Sequence, residues 1–93
     1  MASGTIELRV LTDAGLAIQD RAVSIRAPGA EGSLGMLHNH APLVTTLVPG
    51  KLIWRTPDGR THEAQIGSGL LEIVHNRCTI LTSTFAASDA LHA

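Results

Sequence analysis

Apolar and polar side chains alternate along most of this chain with a period of two. From 5 to 12, Ile6, Leu8 and Val10 fall on one side and Glu7, Arg9 and Leu11 on the other. Successive side chains of a strand point to opposite faces, so this period describes a strand buried on one face. Short segments of strand character recur over 16–18, 23–27, 43–48, 52–56, 61–66, 70–74 and 78–83. Turn residues separate them: Asp13-Ala14-Gly15, Pro28-Gly29, Pro49-Gly50, Pro57-Asp58-Gly59, Gly67-Ser68-Gly69 and His75-Asn76-Arg77. Asn76 suits a positive-φ turn position, where its short polar side chain tolerates the left-handed region. Turns at intervals of about 8–12 residues, with no helical period before residue 84, predict an all-β fold. The expected architecture is a single antiparallel β-sandwich of about ten short strands. The sandwich domain is expected over 1–84. The Ala/Ser-rich tail over 85–93 is expected to form one helical turn or to fray.

The remaining composition narrows the function. The chain has 93 residues, enough for one domain with a radius of gyration of about 12 Å. Seven basic against eight acidic residues give a net charge of −1, without the basic footprint of a nucleic-acid binder. One Trp, one Phe and no Tyr leave too few rings for a base-stacking platform. A single Cys excludes an internal disulfide framework and suits a reducing compartment. No run approaches the roughly 20 apolar residues of a spanning helix. Met1–Gly4 has no basic region followed by an apolar core, so no secretory signal is expected.

Few constellations point to chemistry. His38-Asn39-His40 places two imidazoles at i and i+2, which on a strand share a face and can share a metal. A third ligand cannot be assigned from spacing, because His62 and His75 lie elsewhere in the pattern. This pair defines the alternative reading, a small β-sandwich enzyme or metal-binding module using His38 and His40. The segment from Gly29 to Gly35 has glycines at 29, 32 and 35, but it is not a dinucleotide-binding or phosphate loop, since no helix follows it. It reads either as a tight turn or as a rigid exposed contact loop over residues 28–35. Glu31, Glu63 and Glu72 are dispersed, and Asp20 and Asp58 are expected in turns. No catalytic carboxylate pair is visible. Cys78 is expected to face the core as a small hydrophobe. Trp54 is expected in the core or an interface, with a ligand platform as the lesser reading.

Two longer stretches add a resemblance. Residues 27–37, Ala-Pro-Gly-Ala-Glu-Gly-Ser-Leu-Gly-Met-Leu, lead into His40-Ala41-Pro42-Leu43-Val44-Thr45. Together they resemble the signature loop of the epsilon subunit of F-type ATP synthases. Residues 66–73 and 76–81 are similar to that family's final hairpin, and the likeness runs from about Ile6 to Thr82. The resemblance implies a ten-stranded sandwich at the foot of the central stalk, with no catalytic residue and no cofactor. It implies binding to the gamma subunit on one side and to the membrane c-ring below, linking ring rotation to gamma. The implied c-ring contact loop is Pro28, Gly29, Ala30, Glu31, Gly32, Ser33, Leu34 and Gly35. The implied gamma face includes Thr12, His40 and Thr45. The implied location is the cytoplasmic face of the bacterial inner membrane, peripheral and within the complex. No homo-oligomer is expected.

The chain departs from the family pattern in three places. Ser33 stands where the family usually has a second acid, and His38-Asn39 stands where it has Pro-Gly. Asn39 is expected to take the positive φ that the glycine would. The third departure is length: typical members continue for about 40–50 residues as a helical hairpin that senses ATP and inhibits hydrolysis. The expectation is therefore rotational coupling without inhibition by a C-terminal arm.

Overall fold

Ile6, Leu8 and Val10 are fully buried, and the alternation seen in the sequence is the alternation of one strand's two faces. The structure, a computed structural model, describes residues 4–88. Ten strands follow one another: β1 (Ile6–Thr12), β2 (Gly15–Ala22), β3 (Ser24–Gly29), β4 (Gly32–Leu37) and β5 (Leu43–Leu47), then β6 (Gly50–Arg55), β7 (Thr61–Ile66), β8 (Gly69–Val74), β9 (Arg77–Thr82) and β10 (Phe85–Ala87). The described residues contain no helix.

Hydrogen-bonded neighbours run β10-β7-β6-β3-β5-β8-β9-β1-β2, with β4 on the other edge of β3. β3 is the corner of this path. It pairs with β6 through Ser24–Arg26, then with β5 at the single position Gly29↔Leu47. One layer therefore comprises β4, β3, β6, β7 and β10, and the other β5, β8, β9, β1 and β2. One core fills the space between them, with Ile25, Met36, Leu52 and Ile66 from the first layer and Leu8, Leu71, Ile73 and Ile80 from the second. The Cα radius of gyration is 12.3 Å.

The two layers are also tied by a polar clip. The Trp54 indole N–H on β6 donates to Asp20 Oδ2 on β2 at 2.9 Å. Cys78 is fully buried, and loss of hydration pushes its thiol up to about 12. Asn76 and His75 both have positive φ, 59° and 50°, as a two-residue hairpin of the mirror-image type requires.

Several expectations need correction. The sheet is not purely antiparallel, because β1 runs parallel to β9 over Glu7↔Arg77 to Leu11↔Leu81. That pairing joins segments from opposite ends of the chain, so no hairpin turn dictates its direction. The expected loop over 28–35 is mostly strand. Only Ala30 and Glu31 form the turn, and Pro28↔Ser33 and Gly29↔Gly32 are paired. Asp20 lies within β2 rather than in a turn. Beyond residue 84 the chain forms β10 against β7 instead of a helical turn. Residues 89–93 of the expected tail lie outside the described residues.

Candidate functional site

The β3–β4 hairpin projects its turn from the corner of the sheet. Gly32 has φ 125°, the positive value that follows a turn of this length. The hairpin base is pinned to β5 and the residue after it. Ala30 N–H donates to the Thr46 carbonyl at 3.0 Å, and Val48 N–H donates to the Pro28 carbonyl at 2.9 Å. Arg26 Nη1 donates to Ser33 Oγ at 3.2 Å. Ala30, Glu31, Gly32, Ser33 and Gly35 are exposed on this braced frame, with Leu34 packed partly against the core. The geometry is that of a braced, exposed hairpin with one carboxylate at its tip.

Thr12, His40 and Thr45 do not share one register row. Thr12 ends β1, where its hydroxyl accepts the Ala14 N–H at 3.1 Å. His40 lies between β4 and β5, with its N–H on the Leu37 carbonyl at 3.1 Å and Nδ1 2.7 Å from the Ala41 carbonyl oxygen. Thr45 is half-buried and belongs to the inward row Thr45, Leu71, Ile80 and Val10.

His38 and His40 are not on a strand. They flank Asn39, whose φ of 67° breaks the extended geometry that a shared i, i+2 face needs. Asn39 and Asn76 instead brace two turns: Asn39 N–H donates to Asn76 Oδ1 at 2.6 Å, and Asn76 Nδ2 returns to Asn39 Oδ1 at 3.1 Å. Among the described residues, no group of three His, Cys, Asp or Glu converges on one point. Trp54 is buried and stacks on His62, with ring centroids 5.4 Å apart, so its faces are not a ligand platform.

A surface missing from the sequence reading emerges from the register. Thr46, Leu70, Leu81, Leu11 and Leu16 form one row across β5, β8, β9, β1 and β2. It lies on the outer face. Leu70 is 46% exposed, Leu81 50% and Leu16 51%. Val44, at 65%, adds to this face from the next row. An apolar row on the solvent side of a half-buried sheet is a mark of docking. The sequence signal was an apolar residue at the polar parity, visible singly as Leu11 beside Glu7 and Arg9.

The family described as ATP synthase, Delta/Epsilon chain, beta-sandwich domain matches residues 5–88. The ATP synthase epsilon chain of Syntrophomonas wolfei subsp. wolfei is 37% identical over 84 residues, covering 90% of this chain and 61% of that relative. The epsilon chain of Natranaerobius thermophilus is 36% identical over 92 residues, covering 98% and 65%. This chain thus spans under two thirds of the length of these relatives. Among solved structures, a chain of the Euglena gracilis mitochondrial ATP synthase assembly of OSCP, F1 and c-ring superposes with a TM-score of 0.85 at 21% identity, covering 94% of this chain and 56% of that one. A chain of the Tetrahymena thermophila mitochondrial central stalk and c-ring superposes at 0.71 with 17% identity, covering 91% and 68%. At these identities the superpositions speak to the fold.

Proposed function

The chain belongs to the family of ATP synthase delta/epsilon-chain β-sandwich domains, and on that premise we propose that it is a non-catalytic central-stalk subunit linking the gamma subunit to the c-ring. The observation behind this reading is the exposed leucine row on the outer face of β5, β8, β9, β1 and β2. We assign that face to gamma and the β3–β4 tip, residues 28–35, to the polar loops of the ring. Thr12, His40 and Thr45 are assigned to the gamma side on the family resemblance alone.

The two contacts differ in energy. Burying a leucine contributes about 1.5–3 kcal/mol, whereas an exposed pair made by Glu31 contributes about 0–1 kcal/mol. The leucine face supplies affinity and the tip supplies register. Membrane attachment runs through the complex, at the cytoplasmic face of a bacterial inner membrane, in keeping with the bacterial relatives. No cofactor is assigned.

Co-purification with the gamma subunit encoded beside it tests the assignment. The chain is expected to retain gamma, and the Leu70→Asp/Leu81→Asp double variant to lose it at least tenfold with an unchanged melting temperature. Retention of gamma by the double variant at the original strength rejects the leucine face as its site.

A further inference from the structure

The opposite outer face, on β4, β3, β6 and β7, has a different chemistry. Its register places Leu37, Ser24, Arg55 and Thr61 in one row and Gly35, Arg26, Ile53 and Glu63 in the next. These rows border a shallow groove between Leu37 and Arg55. Gly35 lies under the Arg26 guanidinium and leaves room above β4, since a Cβ built there would be 3.8 Å from Arg26 Nη2. Leu37, at the rim, is 65% exposed.

The charges on this face do not cancel. Among the described residues, Arg26, Arg55 and Lys51 share it with one carboxylate, Glu63, which Lys51 already holds at 3.7 Å. Neither Arg26 nor Arg55 has a carboxylate partner among the described residues. This occurs in a chain with more acids than bases, eight against seven. Elsewhere Glu7 is paired with Arg77 and Asp58 with Arg60. The two arginines are diagonal neighbours on adjacent antiparallel strands, so their Cβ atoms lie about 7–8 Å apart or a little less.

We infer that this arginine face docks an acidic, extended polypeptide segment. Carboxylates two residues apart along such a segment are spaced by about 6.5–7 Å on one face, which matches the Arg26–Arg55 diagonal. Guanidinium forks bind carboxylates in bidentate fashion. Leu37 and Ile53 flank that diagonal on opposite sides, so an apolar side chain of the segment rests on one or the other. The leucine row is on the other side of the sandwich, so both faces can be occupied together. The inference does not depend on which partner covers the leucines.

Amide chemical-shift titration of the whole 93-residue chain tests it. The probe is acetyl-Glu-Ser-Glu-Ser-Leu-amide, with the peptide carrying Lys for Glu as control. The expected shifts centre on Arg26, Gly35, Ile53 and Arg55, and raised salt weakens them. The Arg26→Gln/Arg55→Gln double variant, with an unchanged melting temperature, is expected to bind at least fivefold more weakly. Absence of shifts on this face, or equal shifts with the lysine peptide, overturns the inference. Shifts produced only by phosphatidylglycerol vesicles overturn it too, in favour of a lipid surface.

Discussion

Gly32 and Glu31 are neighbours at the hairpin tip, yet different physics governs each. Gly32 has φ 125°, where a β-branched side chain is strained by about 1–3 kcal/mol. Glu31 contributes one exposed charge. Gly32→Val is therefore expected to lower the midpoint of urea unfolding and to impair reconstitution into the membrane complex. Glu31→Ala is expected to leave stability within about 0.5 kcal/mol and to impair reconstitution less. A worse assembly defect in the Glu31 variant would count against the rigid-tip argument. Cys78 gives a cleaner residue-scale test, because the chain has no Tyr and one Lys to titrate beside it. Burial raises its thiol from 9.0 to about 12, so the unfolded chain loses this proton first as pH rises. The contribution is fully present below about pH 9 and declines toward pH 12, with a limiting slope of about 1.4 kcal/mol per pH unit. Urea unfolding across pH 8–10.5 should show this decline, and Cys78→Ala should flatten it despite the small cavity it creates. A decline of equal slope in the variant would assign the effect elsewhere.

At the scale of elements, two features decide how strands stay in register. Gly69 pairs with Thr82 at the end of the β8–β9 ladder, and a Cβ there would lie 1.9 Å from the Leu81 carbonyl oxygen. Gly69→Ala must push β8 from β9, and overpacking of this kind costs about 1–3 kcal/mol. Chemical denaturation reads that loss directly, and a change under about 0.5 kcal/mol would show that the ladder relaxes freely. The Trp54–Asp20 hydrogen bond ties β6 to β2, elements that are not sheet neighbours. Trp54→Phe and Asp20→Ala are each expected to destabilise by about 1–3 kcal/mol. A double-mutant cycle should return a coupling of at least about 0.5 kcal/mol, and strict additivity would remove the clip from the account. Strand existence was legible in the sequence because the inward residues, Ile6, Leu8 and Val10 among them, keep strict period two. The β3–β4 hairpin was not, because Pro28 and three glycines read as breakers one at a time. In the fold, the Pro28 carbonyl points toward Val48 at the gap where β3 leaves β6 for β5. The N–H and C=O of one strand residue face the same side, so the missing N–H faces Val48 at the strand end and the β3–β4 ladder keeps its bonds; proline is therefore tolerated there.

At the scale of the molecule, the exposed surfaces are rows that cross strands. The leucine row joins β8, β9, β1 and β2 through the parallel β1–β9 pairing, which brings Glu7 beside Arg77 across 70 residues of sequence. Periodicity reads one strand at a time and has no access to such register, so only isolated members such as Leu11 were visible. The stretch 28–35 stood out in the sequence as a glycine-rich unit because its residues are contiguous, although its strand pairing did not. The sandwich thereby presents an apolar face and a cationic face on opposite layers, with the anionic tip of Glu31 at the corner strand between them. Contacts built on these surfaces must answer differently to salt. Exposed charges are screened over about 10 Å at 0.1 M and about 3 Å at 1 M, whereas apolar burial is not weakened by added chloride salts in this range. Binding of the gamma subunit through the leucine face is thus expected to change less than about twofold between 0.05 and 0.5 M sodium chloride. Binding of the acidic peptide to Arg26 and Arg55 is expected to fall several-fold over the same range. Calorimetry at both salt concentrations separates the two. A gamma affinity that collapses with salt would move its site from the leucine row to the charged surfaces, and would make the exposed leucines incidental to docking.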